Sequence, residues 1–158
     1  HYVPKETLLT LYWALIHPYL NYGVAIWGQT SKSLFDKLLR LQKRTLRLIF
    51  FKDNKQSAIP LFVKTMIPPL NIMYILSLSN LMHDVVNKIA PQNLCSLFTQ
   101  VNDVHNYGTR SSTSKKLFSK PSRLNIQLNS FSRLGVRLWN SIPYDIREMS
   151  KKRLKNFY

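Results

Sequence analysis

Between Leu34 and Phe50 the basic side chains recur at a spacing that a helix places on one side. At about 100° per residue, five cations share an arc of about 120°; they are Lys37, Arg40, Lys43, Arg44 and Arg47. The remaining arc is apolar except for Gln42 and Thr45. We therefore predict a helix over residues 33–50 that buries one face and presents the cations to a polyanion. This pattern indicates binding rather than catalysis.

The overall charge balance narrows the class of partner. The chain has 158 residues, 45% of them hydrophobic, which is enough for an ordinary domain with a core. It carries 23 Lys and Arg against 7 Asp and Glu, a formal net charge of +16. Such an excess favours nucleic acid or an anionic membrane surface as partner. Residues 61–109 are neutral and are predicted to be scaffold, whereas the basic segments 1–60 and 110–158 are predicted to be the working surfaces.

The single cysteine and the N-terminus bear on location. Cys95 has no cysteine to pair with inside the chain, which suits a reducing compartment. We expect an intracellular location, with the nucleus as the narrower option. Residues 1–3 lack the basic start and apolar run of a signal peptide. The start at His1, without a Met, and residues 154–158, which resemble an unfinished helix, suggest a chain truncated at both ends.

One uncharged segment, residues 7–31, has the length of a transmembrane helix. His17, Pro18 and Asn21 occupy its centre, where lipid offers no hydrogen-bond partner. We predict a helix of a protein interior over residues 4–27, kinked at Pro18 and stopped by Gly28, and no transmembrane span.

The remaining pattern predicts a mainly α chain. Ser33 and Asp36 resemble a capping box for the basic helix, and Ser130 or its neighbour Asn129 can cap a last helix weakened by Gly135. Further helices are predicted at 61–66 and 70–88, with loops at 52–60 and 102–114. Residues 115–128 alternate weakly and predict a short β hairpin or an extended arm. The predicted domains are a small helical bundle, 1–109, and a basic C-terminal section with short helices, 110–158.

Catalytic and metal-binding constellations are not found. The acidic residues are scattered, and Asp145 and Glu148 lie beside Arg147 and Lys151, which favours surface ion pairs. Histidines and Cys95 show no zinc-like spacing. We predict no catalytic residue and no metal ligand.

Two further groups of side chains have plain structural interpretations. His17, beside a proline, is predicted to be a hydrogen-bonded core or boundary residue. Trp13, Trp27 and Trp139 recur at helical spacings that favour the core over base stacking.

The candidate phosphate-binding residues form two groups. The first is the set of helical cations at 37–47, for which a merely solvated face is the alternative. Six phosphate contacts would give a log–log salt slope of about −5 on a duplex. A second patch is predicted in the C-terminal section and comprises Arg110, Lys115, Lys116, Lys120 and Arg123.

Four segments resemble one protein family. They are LYWALIHPYLNYGVAIWG at 11–28, LLRLQKRTLRLI at 38–49, HNYGTR at 105–110 and NSFSRLGVRLWNSIP at 129–143. In this order they resemble the region after the palm in non-LTR (LINE-type) retrotransposon reverse transcriptases. The resemblance implies a helical thumb that grips an RNA or RNA–DNA template–primer by its backbone, and a C-terminal part beyond it.

The same resemblance places polymerase chemistry elsewhere. It implies that the catalytic aspartates, including an adjacent pair in Tyr-x-Asp-Asp, and the Mg²⁺ they hold belong to an upstream palm. This sequence contains no adjacent acidic pair. We therefore expect no cofactor in this chain and no polymerisation by it alone.

Three hypotheses remain open from the sequence. The leading one is a non-catalytic nucleic-acid-binding part of a reverse transcriptase. The second is a peripheral protein that binds anionic membranes through its basic helices. The third is a structural element that acts only when joined to its palm.

Overall fold

The computed structural model describes residues 3–104, 116–121, 123–124, 130–143 and 147. Most of these residues are helical, so the predicted mainly α class is confirmed. No sheet forms among them; the one isolated antiparallel bridge joins Gln100 and Leu117. In chain order the helices are α1 (Lys5–Leu11), a π-helical turn (Tyr12–Ile16), α2 (His17–Asn21), α3 (Val24–Trp27), α4 (Lys32–Ile49), α5 (Ile59–Thr65), α6 (Leu70–Val86), α7 (Gln92–Cys95), α8 (Val101–Val104) and α9 (Phe131–Ser141).

The backbone groups into two compact units, unit 1 (His1–Ile75) and unit 2 (Leu76–Tyr158). The boundary predicted at 109/110 lies outside the described residues and stays a prediction. So does most of the loop predicted at 102–114, whose first residues belong to α8.

The long N-terminal helix predicted over 4–27 is wrong, because the chain breaks twice. Pro18 has no amide hydrogen to bond the fourth residue before it, and the turn before it widens. The amide of His17 donates to the carbonyl of Tyr12, five residues earlier. The helical path then ends at Tyr22, whose extended backbone leads to Gly23 at φ 61°. The predicted kink is thus a π-helical turn, and α3 is a separate helix.

The basic helix α4 begins one residue earlier than predicted. Ser31 is its N-cap, so Ser33 lies in the first turn, and the predicted capping box of Ser33 and Asp36 is wrong. At the other end Phe51 takes the left-handed conformation (φ 51°), and the amide of Lys52 donates to the carbonyl of Arg47 at 2.8 Å. This pattern closes the helix without a glycine.

A buried glutamine ties α4 to its neighbours in unit 1. Gln42 is 2% exposed, and its Nε2 donates to the hydroxyl of Tyr12 at 3.0 Å and to the carbonyl of Pro68 at 3.1 Å. Its Oε1 accepts from the amide of Leu70 at 2.9 Å. The last bond satisfies an amide in the first turn of α6 that has no partner within that helix. Three separate segments therefore meet at one side chain.

The core of unit 1 surrounds this glutamine with apolar side chains. It buries Tyr12 of the π-helical turn, Leu46 and Ile49 of α4, and residues of the segment 58–67. Helix α5, predicted at 61–66, begins at Ile59 with Pro60 in its first turn. Unit 1 is thus a small cluster of helices packed against one side of α4.

In unit 2, α9 forms where the sequence predicts it. Ser130 is the N-cap and Trp139 is 1% exposed, as expected for a core residue. Gly135 is buried, and a Cβ built there would lie 2.5 Å from Sδ of Met82. The glycine that weakens helix propensity therefore permits a close approach between α9 and α6 in this unit.

The predicted extended arm is present where the structure describes it. Leu117 bridges Gln100, and the amide of Phe118 donates to the carbonyl of Thr99 at 2.8 Å. The side chain of Asn140 completes the arm on its other side: Oδ1 accepts from the Leu117 amide at 3.0 Å, and Nδ2 donates to the Leu117 carbonyl at 2.9 Å. One asparagine on α9 thus pairs with the arm as a neighbouring strand would.

The other two tryptophans differ from Trp139. Trp13 is 42% exposed, so its predicted core position is wrong. The π-helical turn directs Tyr12 rather than Trp13 into the core. Trp27 is half-buried, and its Nε1 donates to the carbonyl of Tyr22 at 2.7 Å.

Within the described residues, no single helix is long and apolar enough to cross a membrane. Helices α5 and α6 pass that test only jointly, as a bent pair and by length and composition alone.

Replacing Gln42 by Leu should lower the free energy of unfolding by about 3 kcal/mol, because it leaves buried backbone groups at Pro68 and Leu70 without partners. Tyr12→Phe removes one partner only and should cost about 1 kcal/mol. Urea denaturation followed by circular dichroism measures both. Thr45→Ala, on the same helix, is the control, and a cost from Gln42→Leu no larger than the control's would contradict the central role of Gln42.

Gly135→Ala distinguishes helix propensity from packing. Propensity alone predicts stabilisation by up to about 1 kcal/mol. The close approach of Met82 predicts the opposite sign, a loss of about 1 kcal/mol or more, because Met82 is fully buried. Thermal unfolding measures the sign. In a Met82→Ala background, Gly135→Ala should cost less than it does in the wild-type chain, because the sulfur that it meets is gone.

Candidate nucleic-acid interface

The five cations of α4, hereafter the basic stripe (Lys37, Arg40, Lys43, Arg44 and Arg47), lie on the side of the helix away from the core of unit 1. Lys37, Arg40 and Arg44 are exposed, whereas Lys43 and Arg47 are half-buried. The opposite face of α4 carries its buried residues, Gln42, Leu46 and Ile49. Burial of that face therefore orients the cations toward solvent.

The stripe is held in place by backbone carbonyls rather than by acidic side chains. Nε of Arg40 donates to the carbonyl of Asp36 at 3.2 Å, and Nε of Arg47 donates to the carbonyl of Gln56 at 2.7 Å. In the described part of the chain, no carboxylate oxygen lies within 4.0 Å of a stripe nitrogen. The stripe thus retains its positive charge at the surface.

The length of the stripe suits a phosphate backbone. Lys37 and Arg47 are ten residues apart, which is about 15 Å along a helix. A nucleic-acid strand presents one phosphate about every 3.4 Å of duplex axis. The stripe can therefore meet several phosphates at once without reading a base.

The apolar arc of α4 is not wholly buried, contrary to the prediction. Leu34, Leu41 and Leu48 are 50%, 57% and 62% exposed, respectively. In unit 1 the neighbours of α4 cover only the side that carries Gln42 and Leu46. A row of leucines consequently lies in solvent directly beside the stripe.

The second predicted patch is described in part. Arg110 and Lys115 lie outside the described residues; Lys120 and Arg123 are exposed, and Lys116 is half-buried. The structure therefore leaves Lys120 and Arg123 as accessible cations in unit 2.

The structure adds to this patch one cation, Arg133, that was not predicted from the sequence to bind phosphate. Nη1 of Arg133 donates to the carbonyl of Lys120 at 3.0 Å, which brings α9 beside the arm. The signal was its position on the face of α9 opposite the apolar residues, but only the tertiary fold places that face beside Lys120.

Arg147 has a structural role instead of a surface one. It is 8% exposed, and it donates from Nε to the carbonyl of Ile142 at 2.7 Å and from Nη2 to the carbonyl of Asn140 at 3.3 Å. The predicted surface position is therefore wrong, because these carbonyls at the end of α9 recruit the guanidinium. Its predicted partners Asp145 and Glu148 lie outside the described residues, as does Lys151.

The described residues assemble no metal-ligand cluster; no three His, Cys, Asp or Glu side chains come together among them. His17 is half-buried with its ring centroid 4.5 Å from that of Trp13, and burial lowers its pKa. Its Nδ1 has no hydrogen-bond partner, so the prediction of a hydrogen-bonded histidine fails for that nitrogen while its boundary position is confirmed. Desolvation thus favours the neutral imidazole.

Comparison of the chain with family models, curated proteins and solved structures finds no match.

Neutralising two of the three exposed cations of the stripe should not destabilise unit 1. Lys37→Gln with Arg44→Gln removes two like charges that have no described acidic partner, so the melting temperature should stay the same or rise. Differential scanning calorimetry at low salt measures this. A fall of several degrees would indicate that the stripe has a stabilising partner, and Lys5→Gln with Lys88→Gln is the control.

Proposed function

We propose that this chain is a non-catalytic nucleic-acid-binding module of a retrotransposon-type reverse transcriptase. The observation that carries the proposal is the basic stripe, which α4 directs to solvent and which no described carboxylate neutralises. A face of this kind costs stability through self-repulsion unless an anion meets it. A phosphate backbone supplies such an anion in a repeating array.

The binding would be driven by the release of counterions from the nucleic acid. Five phosphate contacts give a log–log salt slope of about −4.5 on a duplex and about −3.5 on a single strand. Because phosphate contacts carry no base information, affinity should depend little on sequence. Lys120, Arg123 and Arg133 of unit 2 would add contacts and make the slope steeper.

The family resemblance suggests which nucleic acid is bound. In the reverse transcriptases that residues 11–28 and 38–49 resemble, the thumb grips the template–primer duplex. The polymerase chemistry and its Mg²⁺ would then come from a palm. In this proposal the chain positions the duplex and performs no bond-making step.

Filter binding of an RNA–DNA duplex across a salt series tests the proposal. We expect a slope of about −4.5 from the stripe alone and a steeper one where the cations of unit 2 also bind. Arg40→Glu with Arg44→Glu should weaken all duplex sequences alike and flatten the slope by about two units. Lys5→Glu with Lys88→Glu changes the net charge equally outside the stripe and is the control. Affinity indifferent to salt, or equal losses from both double variants, would overturn it.

A second candidate is favoured by one observation, the leucines exposed beside the stripe. Leu34, Leu41 and Leu48 next to cations resemble a helix that lies on an anionic membrane. Flotation with vesicles that contain phosphatidylserine separates the two candidates. Retained duplex binding without flotation supports nucleic acid, whereas flotation without duplex binding supports the membrane.

The third hypothesis, action only together with a palm, is tested by primer extension. An upstream palm supplied with this chain should extend primers better than the palm alone under either hypothesis. Duplex binding by the isolated chain distinguishes the first hypothesis from the third.

A further inference from the structure

In unit 1 an apolar groove runs between α4 on one side and α1 with the π-helical turn on the other. We call it the leucine groove; its volume is about 260 Å³. Its aliphatic walls are formed by Leu8, Leu11, Leu15 and Ile16 on one side and by Leu48 and Ile49 on the other. Two lining residues, Tyr12 and Thr45, carry hydroxyls. The Tyr12 hydroxyl accepts from Nε2 of Gln42 at 3.0 Å, and the Thr45 hydroxyl donates to the carbonyl of Leu41 at 3.0 Å. None of the described residues that line the groove is charged, so these residues cannot bind a phosphate through an ion pair. The part of a partner that enters the groove must therefore be apolar.

The groove is open rather than a closed cavity of the core. Leu15 is 59% exposed and Leu11 is 45% exposed, and Leu48 on the facing wall is more exposed than either. Contiguous exposed aliphatic side chains of this kind mark an interaction surface, because folding alone would bury them. The first wall carries Leu8, Leu11 and Leu15, at the three- and four-residue spacing of one helix face.

The row of leucines along α4 has the period of a helix–helix seam. Leu34, Leu41 and Leu48 follow one another at seven-residue intervals, and Leu48 is shared with the groove. Two helices that present such ridges on either side of a concave channel are arranged to receive a third helix. A bilayer surface is flat and complements a convex apolar face better than a channel between two helices.

The positive charge beside the groove indicates which kind of helix can occupy it. Arg44 is exposed three residues after Leu41 and four residues before Leu48, so a helix in the groove would pass close to it. A second copy of this chain would bring its own cations to that position, at a formal net charge of +16 on each molecule, and repulsion opposes that pairing. A partner helix flanked by carboxylates would instead be attracted.

We propose that the leucine groove docks an acidic amphipathic helix of a partner protein. Its leucines or isoleucines, at i, i+3 or i+4, and i+7, fill the groove, and its Asp or Glu side chains face Arg44. This surface lies beside the basic stripe but uses aliphatic residues in place of phosphate-binding cations. One face of unit 1 thus carries a polyanion site and a helix-docking site that share Arg44 at their border.

A synthetic acidic helix is the probe. The matched peptide has leucines in a heptad pattern with glutamates flanking them, and the control peptide has the same composition with the leucines scattered around the helix. Fluorescence anisotropy with the full chain should give an affinity at least about tenfold higher for the matched peptide. Leu15→Gln with Leu48→Gln should remove that difference.

The variants are chosen so that folding does not confuse the result. Leu15 and Leu48 are exposed, so polar replacements leave the core of unit 1 intact. Ile59→Gln with Val63→Gln replaces two aliphatic residues of α5 that are somewhat more exposed and lie outside the groove. This control variant should preserve the preference for the matched peptide. Circular dichroism on each variant monitors the helical content.

Four outcomes would overturn the proposal. They are equal affinity for both peptides, full binding by Leu15→Gln with Leu48→Gln, flotation with phosphatidylserine vesicles that this double variant abolishes, and a dimer in sedimentation equilibrium that it dissociates. The leucine variants should keep the wild-type salt slope on duplex, whereas Arg40→Glu with Arg44→Glu should not. Failure of the groove is thereby distinguishable from failure of the nucleic-acid proposal.

Discussion

Unit 1 depends on the hydrogen bonds of one buried amide side chain. Gln42 connects α4 to the hydroxyl of Tyr12, the carbonyl of Pro68 and the amide of Leu70. Burying any of these groups without a hydrogen-bond partner would destabilise the folded state. Because these partners come from two separate segments, the π-helical turn and the stretch 68–70, satisfying them together fixes how α4 is rotated. That rotation in turn determines which of its side chains meet water.

The consequence for function is a division of α4 into three longitudinal strips. One contains Gln42 and Leu46 and packs into unit 1, the second is the basic stripe, and the third is the row of exposed leucines. The cations and the leucines are adjacent because the core occupies only one side of the helix. In the two proposals, a polyanion binds the stripe, and the apolar face of an acidic amphipathic helix packs on the leucines that border the groove. We regard α4 as the element from which both proposed interactions arise.

Several features of the fold escaped the sequence because they use unusual residues for common tasks. Helices α4 and α5 are followed by Phe51 and Met66 in the left-handed conformation that glycine usually supplies. The break before Pro18 takes the form of a π-helical turn, which moves Trp13 outward and Tyr12 inward. Asn140 pairs with the arm in the place of a strand. Local propensity does not predict these choices. It favours glycine at the positions of Phe51 and Met66, whereas Tyr12 and Asn140 bond to residues distant in the chain.

The sequence by itself determined the mainly α class, the existence of α4 and α9, and the segregation of charge on α4. These follow from helical periodicity, a local property of neighbouring residues. Only the tertiary structure decided that Gln42 is buried, that Leu41 and Leu48 are left in solvent, and that Arg133 lies beside Lys120. Burial and proximity depend on which segments arrive at each face. An amphipathic pattern shows that a helix has two sides, but the neighbours decide how much of the apolar side is covered.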